Sequence, residues 1–459
     1  MNINKILKKQ IELIKPNKDT LKGIKKTSDE FCKKLKEKLR KKKIKAEVFI
    51  GGSLAKKTIV KKDRYDVDIF VRFDRKYGNE EISKLLGKII DKKAKRVHGS
   101  RDYYQQVSNG IIMEIIPVIK IKNQQEAQNI TDLSYFHVNY INKIINKNKK
   151  LADEIILAKT FSHAQNCYGA ESYVHGFSGY ALELLICHYR SFLKFISSIA
   201  SQKNILEKNS LSSKHQKSED FCGLKISVEI FKSKKSSIID RIIIDDAKFY
   251  KNNDEILREL NESKIQSPII LIDPTFKQRN ALAGLSNETF NKFKKNCKKF
   301  LKNPSGEFFK SKNIKEELKR KYKDELIILE VKTSKQAGDI AGSKSKKFFE
   351  FFDRQLKREF EIKINEFDYD EKENLAYFFF VIGKKTNEII KGPPVTNIHN
   401  LTRFKKIHKN AFIKNHIAYA KIKHDLSFKE FIQRFKAKEK NIIKEMSVKK
   451  IRLDTFSIK

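Results

Sequence analysis

A chain of 459 residues is too long for one compact core and implies two to four domains. Hydrophobic residues make up 39% of it and aromatics 10%, with 33 Phe and 15 Tyr, so several cores can be filled, while charged residues reach 34% with both signs present, which excludes a wholly disordered chain. Lys+Arg 99 against Asp+Glu 56 leaves a net charge of +43, a match to a polyanion such as nucleic acid, although a general lysine-rich bias would raise the charge as well.

The five cysteines, Cys32, Cys167, Cys187, Cys222 and Cys297, form no C-x-x-C pair and no zinc-finger spacing, which reads as reduced thiols in a cytoplasmic protein. Its first residues make a basic amphipathic helix without the apolar run of a secretion signal. The longest apolar runs, such as Ala376 to Ile382, are strand-sized and too short to span a bilayer, so no membrane is expected.

Ile3, Ile6, Leu7, Ile11 and Ile14 recur at helical spacing, and Pro16 ends that helix. A second helix is predicted from about Thr27 to Lys42, with Phe31, Leu35 and Leu39 on one face. Ala46 to Ile50 then reads as a strand, Gly51-Gly52-Ser53 as a tight turn and Leu54 to Val60 as a short helix. Tyr65 to Phe73 and Ile111 to Lys120 read as strands, which makes the first 145 or so residues an α/β sheet domain.

Helical periodicity runs from about Leu151 to Ile199, with a loop at Gly169 and Gly176, and a polar stretch from Ser201 to Asp220 reads as a surface loop. Strands are predicted at Ile239 to Ile244 and Ile269 to Ile272, and a helix from Ser286 to Asn303. A basic helix (Asn313 to Lys323) follows Pro304-Ser305-Gly306. Strands at Glu325 to Val331, Phe360 to Asp370 and Leu375 to Ile382, with a helix from Ser343 to Arg358, suggest a separate α+β unit. There is no internal repeat and no coiled-coil register.

The informative segment joins the Gly-Gly-Ser turn to Asp66-Val67-Asp68 and then to Glu114. Side chains alternate along a strand, so Asp66 and Asp68 project from one face about 7 Å apart. Carboxylates held that close repel unless a cation lies between them, and hard oxygen donors suit Mg²⁺. Glu114 stands in the apolar run Ile112-Met113-Glu114-Ile115-Ile116, where a lone acid is costly to bury. Backbone N–H groups at Gly52 and the Ser53 hydroxyl suit a triphosphate. The set implies a phosphoryl-transfer site that uses two metal ions. Taken singly, the turn can be only a turn, Asp-x-Asp a solvated strand end, and Glu114 the exposed position of a half-buried strand.

The ordered set resembles the nucleotidyltransferase superfamily that includes DNA polymerase β, and within it the archaeal-type (class I) CCA-adding enzymes. Gly169-Ala170-Glu171, His175-Gly176-Phe177-Ser178-Gly179-Tyr180 and Glu183-Leu184-Leu185 carry the likeness into the second domain. So do Asp273-Pro274, Arg279-Asn280 and Ala283; Ser305 to Phe309 and Gly392-Pro393-Pro394-Val395 extend it further, so that it spans nearly the whole chain.

The resemblance implies an α+β multidomain fold: a polymerase β-like mixed-sheet catalytic head, a helical neck, and an α+β body and tail. It places the catalytic head at residues 1–147, the neck and body that bind nucleotide and primer end at 148–305, and a tRNA-binding body and tail at 306–459. It implies Asp66, Asp68 and Glu114 as catalytic carboxylates holding two Mg²⁺ ions. Many relatives have Glu in place of Asp66 and Asp in place of Glu114. Gly52, Ser53, Lys56, His137, Lys159, Tyr168 and Arg279 become nucleotide-binding residues, Arg279 reading the base. His175 stands where the family usually has Arg, and Arg101 about where it has His, with a role left open. Candidates to grip tRNA phosphates are Lys315, Lys319, Arg320, Lys321 and Lys323, with Arg403, Lys405 and Lys406.

The expected reaction adds C, C and A to the tRNA 3′ end, its acceptor and T-stem held by the enzyme, from CTP and ATP with release of pyrophosphate; a homodimer fits the resemblance. A poly(A) polymerase or other terminal transferase would share the head, and an inactive RNA-binding protein would share the charge.

Overall fold

The computed structural model describes residues 2–79, 81–202, 241–334 and 338–454. Cys222, nearly all of the polar stretch from Ser201 to Asp220, and Ile239 and Asp240 lie outside the described residues. The chain forms two compact units, one of residues 1–170 and 174–311, the other of 171–173 and 312–459.

The first unit opens with α1 (Ile3–Ile14) and α2 (Lys18–Lys41), followed by β1 (Ala46–Ile50), α3 (Gly52–Ala55) and β2 (Asp66–Phe73). It continues through α4 (Glu81–Gly87), β3 (Lys95–Val97), β4 (Tyr103–Ser108) and β5 (Ile111–Ile119). These strands make one mixed sheet in the order β1-β2-β5-β4-β3, with β2 and β5 parallel. Helices α5 (Ser134–Lys147), α6 (Lys150–Ala164), α7 (Gly179–Tyr189) and α8 (Phe192–Ser201) come next. A small sheet of β6 (Ile242–Ile244), β7 (Ile269–Asp273) and β8 (Phe276–Asn280), with α9 (Asn253–Glu259) between its first two strands, leads to α10 (Asn287–Lys302).

Two sequence expectations need correction here. The helix expected from Thr27 begins at Lys18, because the Asn17 side chain accepts from the Thr20 N–H and caps it. Its first turns do carry Leu21 and Ile24 in register with Phe31 and Leu35, but Gly23 between them and the surrounding lysines obscure the pattern. The helix expected over Leu54 to Val60 stops at Ala55: Lys57 takes φ +58° and the Thr58 N–H turns back to the Ser53 carbonyl. By contrast, the helix expected from Ser286 to Asn303 is present as α10 (Asn287–Lys302), with Ser286 capping it through the Thr289 N–H.

The alternation along β2 divides its side chains cleanly. Val67, Ile69, Val71 and Phe73, with Met113 and Ile115 of β5, pack against Ile24, Leu35 and Leu39 of α2. Asp66, Asp68 and Glu114 therefore occupy the face turned away from that core. A second core gathers Phe161 of α6, Phe177, Phe192 and Phe195, and Phe293 and Phe300 of α10. Phe161 alone meets Phe192, Phe293, Phe300, Phe308 and Phe309 at ring-centroid distances of 5.4 to 6.3 Å.

The second unit contains α11 (Ile314–Tyr322), β9 (Leu326–Thr333), α12 (Gly338–Glu359), β10 (Phe360–Asp370) and β11 (Leu375–Lys384). It goes on through β12 (Glu388–Pro394), α13 (Ile398–Ile407), β13 (Ala411–Lys414), β14 (Ile417–Ile422), α14 (Phe428–Lys438), α15 (Lys440–Glu445) and β15 (Val448–Leu453). An antiparallel sheet in the order β10-β11-β9-β15 buries Phe378 and Phe380 against Phe348, Phe349 and Phe352 of α12 and Phe431 and Phe435 of α14. Its other face packs Ile328 and Phe379 against Ile314 and Leu318 of α11. A second small sheet runs β12-β14-β13. The helix expected from Ser343 starts earlier, at Gly338, and the structured elements after Lys384 carried no pattern strong enough to be read from sequence.

Candidate active site

The turn after β1 sits directly against the acidic strand. The Gly51 N–H donates to the Asp68 carbonyl at 2.8 Å. Gly52 takes φ +56°, and a Cβ placed there would come within 1.6 Å of Asp68 Oδ2. Only glycine satisfies both conditions, so the second Gly of the Gly-Gly-Ser turn is dictated by the carboxylate beside it. Ser53 follows as a half-buried residue of α3.

The parallel register sets Asp68 opposite Glu114, which places the carboxylates of two neighbouring strands on the same face. Asp68 and Glu114 are half-buried. Burial, then the like charge of Asp66, push the Asp68 carboxyl above its usual range. Glu114 is pushed up to about 7 by burial and then by Asp68. Gln105 of β4, opposite Glu114 in the antiparallel register, donates from Nε2 to its Oε1 at 2.8 Å. Lys62 forms an ion pair with Asp66.

Among the described residues no three His, Cys, Asp or Glu side chains converge closely enough to enclose a metal ion as they stand. The chemistry of the donor set nonetheless fits a hard divalent cation. Three carboxylates share one face, burial and then the like charge of a neighbouring carboxylate push Asp68 and Glu114 above their usual range, and a cation would relieve that cost.

Beside this face lies a buried polar cluster. Lys159 of α6 donates to Glu183 Oε1 of α7 at 2.7 Å and to Thr58 Oγ1 at 2.9 Å. Lys56 donates to Glu183 Oε2 at 2.6 Å. The Glu183 side chain is 1% exposed. Burial by itself would raise its carboxyl, but the two ammonium groups outweigh that and hold it below its ordinary value. A Cβ on Gly179 would meet the Tyr168 hydroxyl at 2.8 Å and Lys159 Cε at 3.8 Å, so Tyr168 borders this cluster.

A second buried hub is Asp273, at the end of β7. Its Oδ1 accepts from the Tyr180 hydroxyl at 3.0 Å and from the Thr275 N–H and hydroxyl at 2.8 Å. Its Oδ2 accepts from Arg279 Nη1 at 2.6 Å and pairs with His137 Nε2 at 3.0 Å. The His137 ring stacks on Tyr180 with centroids 4.0 Å apart. Burial would raise Asp273, yet the hydrogen bonds and positive charge around it hold it well below the carboxylate range. Burial pushes His137 down, against the pull of Asp273.

The structure thus places Gly52, Ser53, Lys56, Asp66, Asp68, Glu114, His137, Lys159, Tyr168 and Arg279 in one unit, in three adjoining polar clusters. Lys56 links two of them, since its ammonium also lies 5.8 Å from the Tyr180 ring centroid. Arg101 is elsewhere: its guanidinium is buried against Asp132, with Nη1 to Oδ1 at 2.6 Å and to the Pro117 carbonyl at 3.1 Å. His175 takes φ +49°, its ring bonded to the Gly284 carbonyl at 3.2 Å.

In the second unit Lys315 and Lys319 are half-buried and paired with Asp454 at 3.1 and 4.0 Å, whereas Arg320, Lys321, Lys323, Arg403, Lys405 and Lys406 are exposed. Sequence reasoning assigned no role to Gln105, Thr58, Glu183, Asp273 or Tyr180. The last three did stand out as acids or an aromatic inside the motifs that carried the family likeness.

Comparison with known proteins bears directly on this arrangement. Residues 153–310 match the family described as tRNA nucleotidyltransferase, second domain. Residues 1–135 match the Second Messenger Oligonucleotide or Dinucleotide Synthetase domain. The CCA-adding enzyme of Nanoarchaeum equitans is 30% identical over 374 residues, 80% of this chain and 81% of that protein. The chain belongs to the archaeal-type CCA-adding enzyme family.

Another CCA-adding enzyme, from Methanocaldococcus jannaschii, is 28% identical over 427 residues, 90% of this chain and 86% of its own. Among solved structures, the Cid1 poly(U) polymerase with Mg 3′-dATP aligns over 67% of this chain and 98% of its own, at 12% identity and a TM-score of 0.47. No described helix is long and apolar enough to cross a membrane.

Proposed function

We propose that Asp66, Asp68 and Glu114 are the catalytic carboxylates of CCA addition in this chain and that they hold two Mg²⁺ ions. The protein is a nucleotidyltransferase that adds C, C and A to the tRNA 3′ end. The observation that carries the site is the in-register pairing of Asp68 with Glu114 on the face of the sheet turned from the core, with the Gly52 backbone pressed against Asp68.

When bound, the metal ions supply a lowered pKa for the attacking 3′-hydroxyl and neutralise charge on the triphosphate and the leaving pyrophosphate. The chain's own groups bind and orient. Lys56 and Lys159 offer positive charge beside Asp68 to the phosphates. The Ser53 hydroxyl offers a hydrogen bond to the same anion. His137, stacked on Tyr180, and Arg279, clamped by Asp273, present a planar, preorganised wall to the incoming base. Residues 1–147 carry the chemistry in this reading, 148–305 grip the nucleotide and primer end, and 306–459 receive the tRNA through exposed cations such as Arg320, Lys321, Lys323 and Arg403. A cytoplasmic location and a homodimer complete the reading.

The test incubates the protein with Mg²⁺, labelled tRNA lacking its last three nucleotides, and CTP, ATP or both. The expected outcome is two C additions with CTP alone, a final A only with both nucleotides, and at least about a thousandfold loss of rate in Asp68→Ala. A long homopolymer from ATP alone identifies a poly(A) polymerase instead. Bound but unextended tRNA identifies an inactive RNA-binding protein. Elution volume on a sizing column reads the dimer in the same preparation.

A further inference from the structure

Glu183 is an almost fully buried acid beside the candidate site, its side chain 1% exposed, yet the chemistry proposed above does not use it. It lies on α7, in the second core, whereas Lys56 and Thr58 belong to the turn that follows α3 beside the catalytic sheet, and Lys159 belongs to α6. Its two oxygens are divided between two ammonium groups, Oε2 to Lys56 at 2.6 Å and Oε1 to Lys159 at 2.7 Å, and Thr58 accepts a further bond from Lys159 at 2.9 Å. Three chain segments are thereby fixed to one carboxylate. The side chains are 9%, 7% and 1% exposed for Lys56, Lys159 and Glu183.

Charge is what separates this cluster from an ordinary buried ion pair. Two ammonium groups against one carboxylate leave one positive charge in surplus, and its cost shows at Lys159, which burial and then the neighbouring Lys56 hold below its usual value despite Glu183. A further anion close enough to feel both lysines is Asp68. Asp68 already faces Asp66 and Glu114, so a second anion beside the cluster is favoured over leaving the surplus unmatched. A purely structural bridge would need one lysine. The second, held by the other oxygen of the same acid, makes sense as a charge kept aimed at something that arrives.

We propose that Glu183 is a positioning residue that holds Lys56 and Lys159 as a preformed cradle for the triphosphate of the incoming nucleotide. This rests on the reading of the site as nucleotidyl-transferring. Neither lysine then has to be ordered when the nucleotide binds, and the cost of holding two long cationic side chains is met by folding. Because the cradle grips phosphates and not the base, it serves CTP and ATP alike.

The experiment uses the full chain and two variants, Glu183→Gln and Glu183→Asp. It measures KM for CTP and ATP, the inhibition constant of inorganic tripolyphosphate, KM for tRNA, and Tm. Glu183→Asp keeps the charge but is one methylene short of spanning both lysines. Its KM for both nucleotides and its tripolyphosphate inhibition constant should rise together, by about tenfold to a hundredfold, with tRNA KM unchanged. Glu183→Gln should show the same shifts, larger, wherever it folds.

If Glu183→Asp loses Tm while tripolyphosphate inhibition stays at the wild-type value, the residue is structural and the proposal is overturned. An unchanged Glu183→Asp in every measurement overturns it too. A wild-type chain that does not extend tRNA defeats the underlying functional reading instead, which keeps the two failures apart.

Discussion

Asp68 and Gly52 show how tightly single residues are bound to one another at this site. A methyl group at residue 52 would overlap Asp68 Oδ2 at 1.6 Å and force an L side chain into φ +56°. Gly52→Ala should therefore lower stability by about 1–3 kcal/mol and lower activity further than the fraction unfolded accounts for, as seen by thermal melting alongside the extension assay. Asp273 invites a test of pH. Its folded carboxyl is held below its unfolded value, so the stabilisation it provides is present above about pH 4 and is lost as pH falls through the depressed native value. Asp273→Asn should cost about 2 kcal/mol at neutral pH, and that difference should shrink as the solution is acidified below pH 4. A difference that stays constant across urea melts at several acidic pH values would contradict the account.

At the scale of elements, the parallel pairing of β2 with β5 determines which acids meet. Shifting that register by one residue would turn Glu114 into the core and Met113 toward the site. Arg101 helps to hold the far end of β5. It donates to the Pro117 carbonyl and to Asp132, and Asp132 Oδ1 also accepts from the Ile119 N–H at 2.8 Å. Arg101→Ala leaves that carboxylate buried and unpaired, so a loss of about 3–5 kcal/mol is expected in chemical denaturation. Nucleotide KM in the remaining folded protein should be unchanged, because Arg101 lies outside the three polar clusters.

Across the whole molecule the net charge of +43 is the dominant feature, and exposed cations such as Arg320, Lys321, Lys323, Arg403, Lys405 and Lys406 contribute to it. Binding of tRNA should weaken linearly in log K against log salt, each phosphate contact contributing a slope of about −0.7 to −0.9. Replacing Arg403, Lys405 and Lys406 together by Gln should make that slope shallower by about 2 while leaving the KM for CTP unaltered. A slope that does not change removes α13 from the tRNA-binding surface.

The sequence by itself determined the acidic strand, the Gly-Gly-Ser turn before it and Glu114 after it, because strand alternation and an acid in an apolar run leave a legible local signature. It also carried the family likeness, through motifs spread over nearly the whole chain. Helix starts defined by a cap, as at Lys18, and the edge strand β3 with its neighbour β4 carried no comparable pattern, since capping and sheet pairing rather than apolar spacing define them. Only the tertiary structure decided that Lys56 and Lys159 share Glu183, that Asp273 clamps Arg279 and His137, and that Arg101 serves Asp132. The physical reason is the same in each case. A buried charge must find its partner wherever the chain folds back, and the partners here lie as much as 136 positions apart along it.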